Sequence, residues 1–113
     1  MKTVTLEVCA IDDVKRRFVQ AFSGKEQGVF INFESSAALW KALSVKRWQL
    51  IEMLTGAGPV TIREAARRVQ RDVKAVHGDI HALLNTGLLA KTADGKIVFP
   101  YDAIHVDFMV KAA

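Results

Sequence analysis

An α+β fold is what this sequence predicts, and three observations carry the prediction. Residues 3–8, 28–33 and 104–110 alternate apolar with polar side chains, the period of a strand with one buried face. Between residues 36 and 85 apolar side chains recur at spacings of three and four, and serine, threonine or aspartate precedes each run, as at the start of a helix. Beyond them, Asp94-Gly95 separates two strand-like runs, which is the signal of a hairpin.

Taken in order, residues 3–8 predict a strand with Val4, Leu6 and Val8 on one face. Residues 12–23 predict an amphipathic helix that buries Val14, Phe18, Val19 and Phe22 and stops at Gly24. Residues 28–33 follow as a second strand, with Val29, Ile31 and Phe33 together. Ser35 or Ser36 caps a short helix whose inward residues are Leu39, Trp40 and Leu43. Ser44 caps the next, with Trp48, Ile51 and Leu54 inward and Leu50 and Met53 widening the apolar side, until Gly56-Ala57-Gly58-Pro59 breaks it.

Thr61-Ile62-Arg63-Glu64 fits a capping box, in which the hydroxyl and the carboxylate each accept from the other residue's backbone N–H. The helix it opens buries Ile62, Ala65, Ala66 and Val69. After a turn at Gln70-Arg71, Asp72 caps a longer helix to about Asn85, with Val73, Val76, Ile80, Leu83 and Leu84 as its buried stripe and Gly87 as its stop. Residues 88–92 and 96–99 form the hairpin, Pro100 ends it, and a last strand places Ile104, Val106, Phe108 and Val110 on one face.

Composition narrows the function. Of 113 residues, 50% are hydrophobic and 25% charged, which suits a folded domain and argues against disorder. No apolar run approaches the ~20 residues of a membrane span. Met1 to Glu7 lacks the continuous apolar stretch of a signal peptide, so a cytoplasmic protein is expected. The single cysteine, Cys9, has no second thiol for a disulfide or a metal site and reads as a half-buried strand residue.

The net charge is +4, and residues 44–75 hold all of the excess, with seven basic residues against three acidic ones. Charge concentrated in this way implies a polyanionic partner. The order from residue 44 is helix, capped short helix, tight turn, longer helix, hairpin: a winged helix-turn-helix plan. The helix beginning at Asp72 would then enter a DNA major groove with Lys74, Ala75, His77, Gly78 and His81 outward. Lys46, Arg47, Arg63, Arg67 and Arg71 lie in the same basic stretch, and Lys91 and Lys96 flank the hairpin turn within reach of phosphate or minor groove. Gly78 is unusual, because glycine inside a helix costs roughly 1 kcal/mol against alanine, and it reads as relief for a closely approaching duplex.

Other chemistries find little support. His77 and His81 stand four apart, a spacing able to hold a metal, but only Asp79 and His105 offer themselves as further ligands and no HExxH pattern is present, so no metal or other cofactor is assigned. No nucleophile constellation or glycine-rich phosphate loop suggests an enzyme.

Residues 40–101 carry a resemblance. Trp40-Lys41-Ala42-Leu43-Ser44-Val45-Lys46-Arg47-Trp48 precedes Gly56-Ala57-Gly58-Pro59; then come Ile62-Arg63-Glu64-Ala65-Ala66-Arg67-Arg68 and Arg71-Asp72-Val73-Lys74-Ala75-Val76-His77-Gly78-Asp79, and the hairpin ends Val98-Phe99-Pro100-Tyr101-Asp102. The pattern resembles the MarR-like DNA-binding antitoxins of prokaryotic toxin–antitoxin operons, and most of all the TumA-type antitoxins. The resemblance implies operator binding through the helix at Asp72, repression of the protein's own operon, and neutralisation of a co-encoded toxin. A stand-alone repressor with no toxin partner is the alternative. Where many of these proteins carry glycine before the turn arginine, this chain has Gln70.

The resulting expectation is a strand-helix-strand extension over 1–34, available to a dimer or toxin partner, and a winged helix-turn-helix with a C-terminal strand over 35–113. The apolar edges of the two terminal strands favour a symmetric homodimer, with pairing of the strands inside one chain as the other outlet.

Overall fold

In a computed structural model the chain is a mixed α+β protein, described here for residues 2–8, 29–107 and 109. The helix expected over 12–23, its stop at Gly24, Cys9, Phe108 and Val110 lie outside the described residues. The elements are β1 (Thr3–Val8), β2 (Val29–Phe33), α1 (Ser36–Ala42), α2 (Val45–Leu54), α3 (Ile62–Val69), α4 (Val73–Thr86), β3 (Ala90–Lys91), β4 (Ile97–Val98) and β5 (Ala103–Asp107). None of the described helices is long and apolar enough to cross a membrane.

The helix starts follow from local chemistry. The hydroxyls of Ser35, Ser44 and Thr61 accept from the N–H groups of Ala38, Arg47 and Glu64, and one Asp72 carboxylate oxygen accepts from Lys74 and Ala75. Each supplies a partner to amides that the helix cannot satisfy itself. The expected capping box is only half made: the Glu64 carboxylate turns forward along the exposed helix surface to Arg67 and Arg68. The helix ends differ in kind. Gly87 closes α4 at φ 90°, natural for glycine, whereas Gln70 closes α3 in the left-handed conformation at φ 56° and ψ 50°, where a side chain is strained.

The core gathers Leu39 and Leu43 from the region of α1, Leu50, Ile51 and Leu54 from α2, Ala65 and Ala66 from α3, and Val76, Ile80 and Leu83 from α4. Three expected inward residues are outside it: Val29, 37% exposed on the edge strand β2, Trp40 and Val73. Trp40 is 56% exposed, because Leu39 and Leu43 occupy the inward line of a two-turn helix and Trp40 lies a step round from it. It lines an open apolar groove of about 380 Å³ with Leu43, Val45, Trp48 and Val106. Val73 is 44% exposed, since the first residue of α4 projects past the end of the packed region.

The strands form two sheets. The larger has the order β2-β1-β5, with β1 parallel to both neighbours. In this register Val4 stands between Val29 and Ile104, and Leu6 between Ile31 and Val106, so one apolar face runs across three strands. Val4 and Leu6 are fully buried in its centre. The two terminal strands pair with each other within the chain, which places β1 in the centre of the sheet and β5 at its edge. Lys2 and Asp102 fix the start of that pairing, with Asp102 N donating to the Lys2 carbonyl at 2.7 Å and Lys2 N donating to the Asp102 carboxylate at 2.7 Å.

The smaller sheet is the β3-β4 hairpin, shorter than the sequence runs that flank it, with Ala90 opposite Val98 and Lys91 opposite Ile97. Gly95 at φ 83° supplies the residue that closes its turn, and Thr92 accepts from Gly95 N at 3.0 Å. Val60, just before α3, forms a bridge to Ile97 through two hydrogen bonds of 2.9 and 2.8 Å. The hairpin is thereby tied to the entry of α3.

Charged contacts fix α4 against its surroundings. Asp79, in its second turn, accepts from Arg71 Nη2 at 2.6 Å and from Arg47 Nε at 3.0 Å. Arg47 also donates to the carbonyls of Lys41 and Ala42 at 3.3 and 3.2 Å, at the end of α1. The three side chains are partly buried, at 17% exposure for Arg71, 18% for Asp79 and 26% for Arg47. Partial burial by itself pushes the Asp79 carboxyl upward, but the hydrogen bonds from Arg71 and Arg47 outweigh it and hold the group below its ordinary value.

Replacing Gln70 by glycine is expected to raise stability by about 0.5–1 kcal/mol, because glycine takes the left-handed conformation without a side-chain penalty and loses some of that gain to its freer unfolded chain; chemical denaturation measures it. Asp79→Asn is expected to cost about 2 kcal/mol near neutrality, since two partly buried guanidinium groups lose their charged acceptor. Because the folded carboxyl titrates below the unfolded one, its contribution is full above about pH 4 and disappears as pH falls through the folded value. Denaturation midpoints of the two proteins should accordingly converge at acid pH.

Candidate nucleic-acid interface

The outward side of α4 is built by its cap and its stripe together. Val76, Ile80 and Leu83 face the core, so the residues at Lys74, Ala75, His77, Gly78 and His81 fall on the opposite side, spaced by one, three, four and seven. The first four are exposed and His81 is partly so. A Cβ added at Gly78 would meet no heavy atom within 4 Å, so open space surrounds this helix backbone. The His77 and His81 rings lie together, with Nε2 atoms 3.1 Å apart.

The basic residues divide into two groups. Lys46, Arg63, Lys74 and Lys91 are exposed and carry no ion pair among the described residues. Arg67 and Arg68 share the Glu64 carboxylate, with 2.8 Å from Arg67 Nε and 2.9 Å from Arg68 Nε. The hydrogen bonds from Arg67 and then Arg68 bring the Glu64 carboxyl down to about 2. Arg67 and Arg68 nonetheless remain exposed, so their outer nitrogens reach solvent. Arg47 and Arg71 face inward to Asp79 and position α4. On the hairpin, Lys91 points outward, while Lys96 is partly exposed and lies 3.8 Å from Asp94. Asp94 is held below its ordinary value chiefly by the Thr92 hydroxyl.

Of the residues that the sequence singles out, the structure thus gathers five on one face of α4 and splits the arginines between solvent and support. Asp79, which the sequence offers only as a metal ligand, is the residue that ties α4 to Arg47 and Arg71. Its position held a usable signal: it stands three after Val76 and four before Leu83, on the inward border of the helix, where a carboxylate needs a cation.

No curated protein and no solved structure matches the chain. A family model described as HVO_A0114 matches residues 42–106. The match begins at the last residue of α1 and takes in α2, α3, the turn at Gln70, α4, the hairpin and all but the end of β5, so the exposed α4 face and the Asp79 cluster both lie inside it. Covering more than half of the sequence, it establishes that the chain belongs to the HVO_A0114 family.

Proposed function

We propose that the protein is a sequence-specific DNA-binding transcriptional regulator of the winged helix-turn-helix kind. The observation that carries this reading is the outward face of α4, where Lys74, Ala75, His77 and Gly78 stand exposed with open space over the glycine. A helix with small residues and a few long polar ones at its N-terminal end suits a major groove about 12 Å wide. The order of elements supports the same reading: α3, a short turn, α4, then the β3-β4 hairpin as the wing, with the Val60–Ile97 bridge as its third, minimal strand.

In this arrangement the cations have separate tasks. Lys74 reaches a phosphate or the acceptor edge of guanine from the first turn of the recognition helix, while His77 and His81 offer hydrogen bonds to base edges. Arg63, Arg67 and Lys46 line the approach to the backbone, and Lys91 and Lys96 reach it from the wing. The helix N-terminus itself is not a phosphate site, because Asp72 already accepts from its amides. Arg47 and Arg71 hold the helix at its angle.

Repression of its own operon and neutralisation of a co-encoded toxin rest on the likeness of residues 40–101 to the TumA-type antitoxins. A homodimer suits this role, since two recognition helices about 34 Å apart would read a palindromic operator.

Gel-shift or anisotropy titration with duplex DNA spanning its own promoter, against an unrelated duplex of equal length, tests the proposal. Lys74→Ala is expected to weaken promoter binding about tenfold, leave the melting temperature unchanged, and reduce the slope of log K against log salt by about one. Equal affinity for the two duplexes would remove the regulator reading. Gly78→Ala is expected to stabilise the protein by up to ~1 kcal/mol, since the added methyl meets nothing in the fold, and to weaken promoter binding several-fold. A stabilised protein with undiminished affinity would mean that DNA does not approach this face of α4.

A further inference from the structure

His77 and His81 lie one turn apart on α4, with ring centroids 4.2 Å apart and Nε2 atoms 3.1 Å apart. Two nitrogens bound to one metal at ~2.05 Å are separated by about 2.9 Å at a right angle and about 3.3 Å at the tetrahedral angle. The pair therefore already stands at a chelating separation. With one ring protonated on Nε2, that nitrogen donates a hydrogen bond to the lone pair of the other. A cation takes that proton's place once both rings carry their proton on Nδ1.

We propose that His77 and His81 form a two-imidazole site for a borderline divalent transition metal of the Cu²⁺, Ni²⁺ and Zn²⁺ class. Imidazole nitrogen selects this class over Mg²⁺ or Ca²⁺. Asp79 is not a further ligand, because Arg47 and Arg71 occupy its two oxygens. Water fills the remaining positions, for which the exposed helix side and the open space at Gly78 leave room. Two protein ligands give weaker binding than a closed four-ligand site, so the site fills and empties with metal supply. Its consequence for gene regulation rests on the DNA reading: an occupied pair withdraws both Nε2 atoms from base contacts.

Calorimetric titration of the tag-free protein with Ni²⁺, without DNA, tests the site apart from the proposed function. One ion per chain is expected, with binding at least tenfold weaker in His77→Ala and in His81→Ala and unchanged in His105→Ala. Ni²⁺ should also raise the melting temperature of the wild type, since the two ligands meet only in the folded helix. His81→Gln, which retains a good helix former, should lose the ion as His81→Ala does. No saturable binding to the wild type, or wild-type affinity in any of the three His77 and His81 variants, overturns the proposal.

Discussion

Asp79 sits where α2, the Gln70–Asp72 turn and α4 come together, and its two oxygens take one arginine from each side. Apolar packing along Val76, Ile80 and Leu83 draws α4 onto the core, but such packing tolerates small rotations about the helix axis and small slides along it. Directional bonds to Arg47 and Arg71 do not. Arg47 in turn grips the carbonyls at the end of α1, so the azimuth of α4 is tied to two other helices at once. A partly buried charged cluster adds little net stability over an apolar substitute of the same shape; its contribution here is to select one orientation. The face presented by Lys74, His77, Gly78 and His81 inherits that orientation.

Local chemistry was the legible part of the chain. The caps at Ser35, Ser44, Thr61 and Asp72 are set within four residues, and the structure has all four. The buried stripe of α4 followed from its period, except for Val73, where a periodic pattern cannot tell that the helix outruns the core it packs on. Trp40 failed for a related reason: size and hydrophobicity suggest an inward seat, but a two-turn helix has room for only one inward line, and Leu39 and Leu43 take it.

Non-local pairing was the illegible part. Alternation gave which residues of β1, β2 and β5 share a side, because the period of a strand fixes it, but not how deeply each is buried: Val29 is exposed and Glu7 is buried. It carried no information on which strand would lie beside which, or in what direction. Asp79 shows the same limit for charge. Its partner Arg71 is close in sequence, but Arg47 lies a helix and two turns earlier, and nothing local to either residue announces the other. Of the candidate interface, the residues that point outward could be named from the helix period; those that support it from behind could not be separated from them, since both sets are arginines and lysines in one basic stretch.

The central position of β1 has a consequence for how the protein is made. Its hydrogen bonds to β5 join residues about a hundred positions apart, with every helix of the described core in between. During synthesis β1 leaves the ribosome before β5 and waits, with the edge that β5 will take open, until α1 to α4 and the hairpin have followed. Contacts of such wide separation close slowly, because the loop they seal must first be ordered. A nascent chain carrying Val4 and Leu6 on an unfinished sheet is exposed to misassociation throughout that interval. The helical part, held by short-range caps and by apolar contacts closer in sequence, can condense first, but Val4 and Leu6 belong to the same buried cluster, so that cluster is complete only when the sheet is.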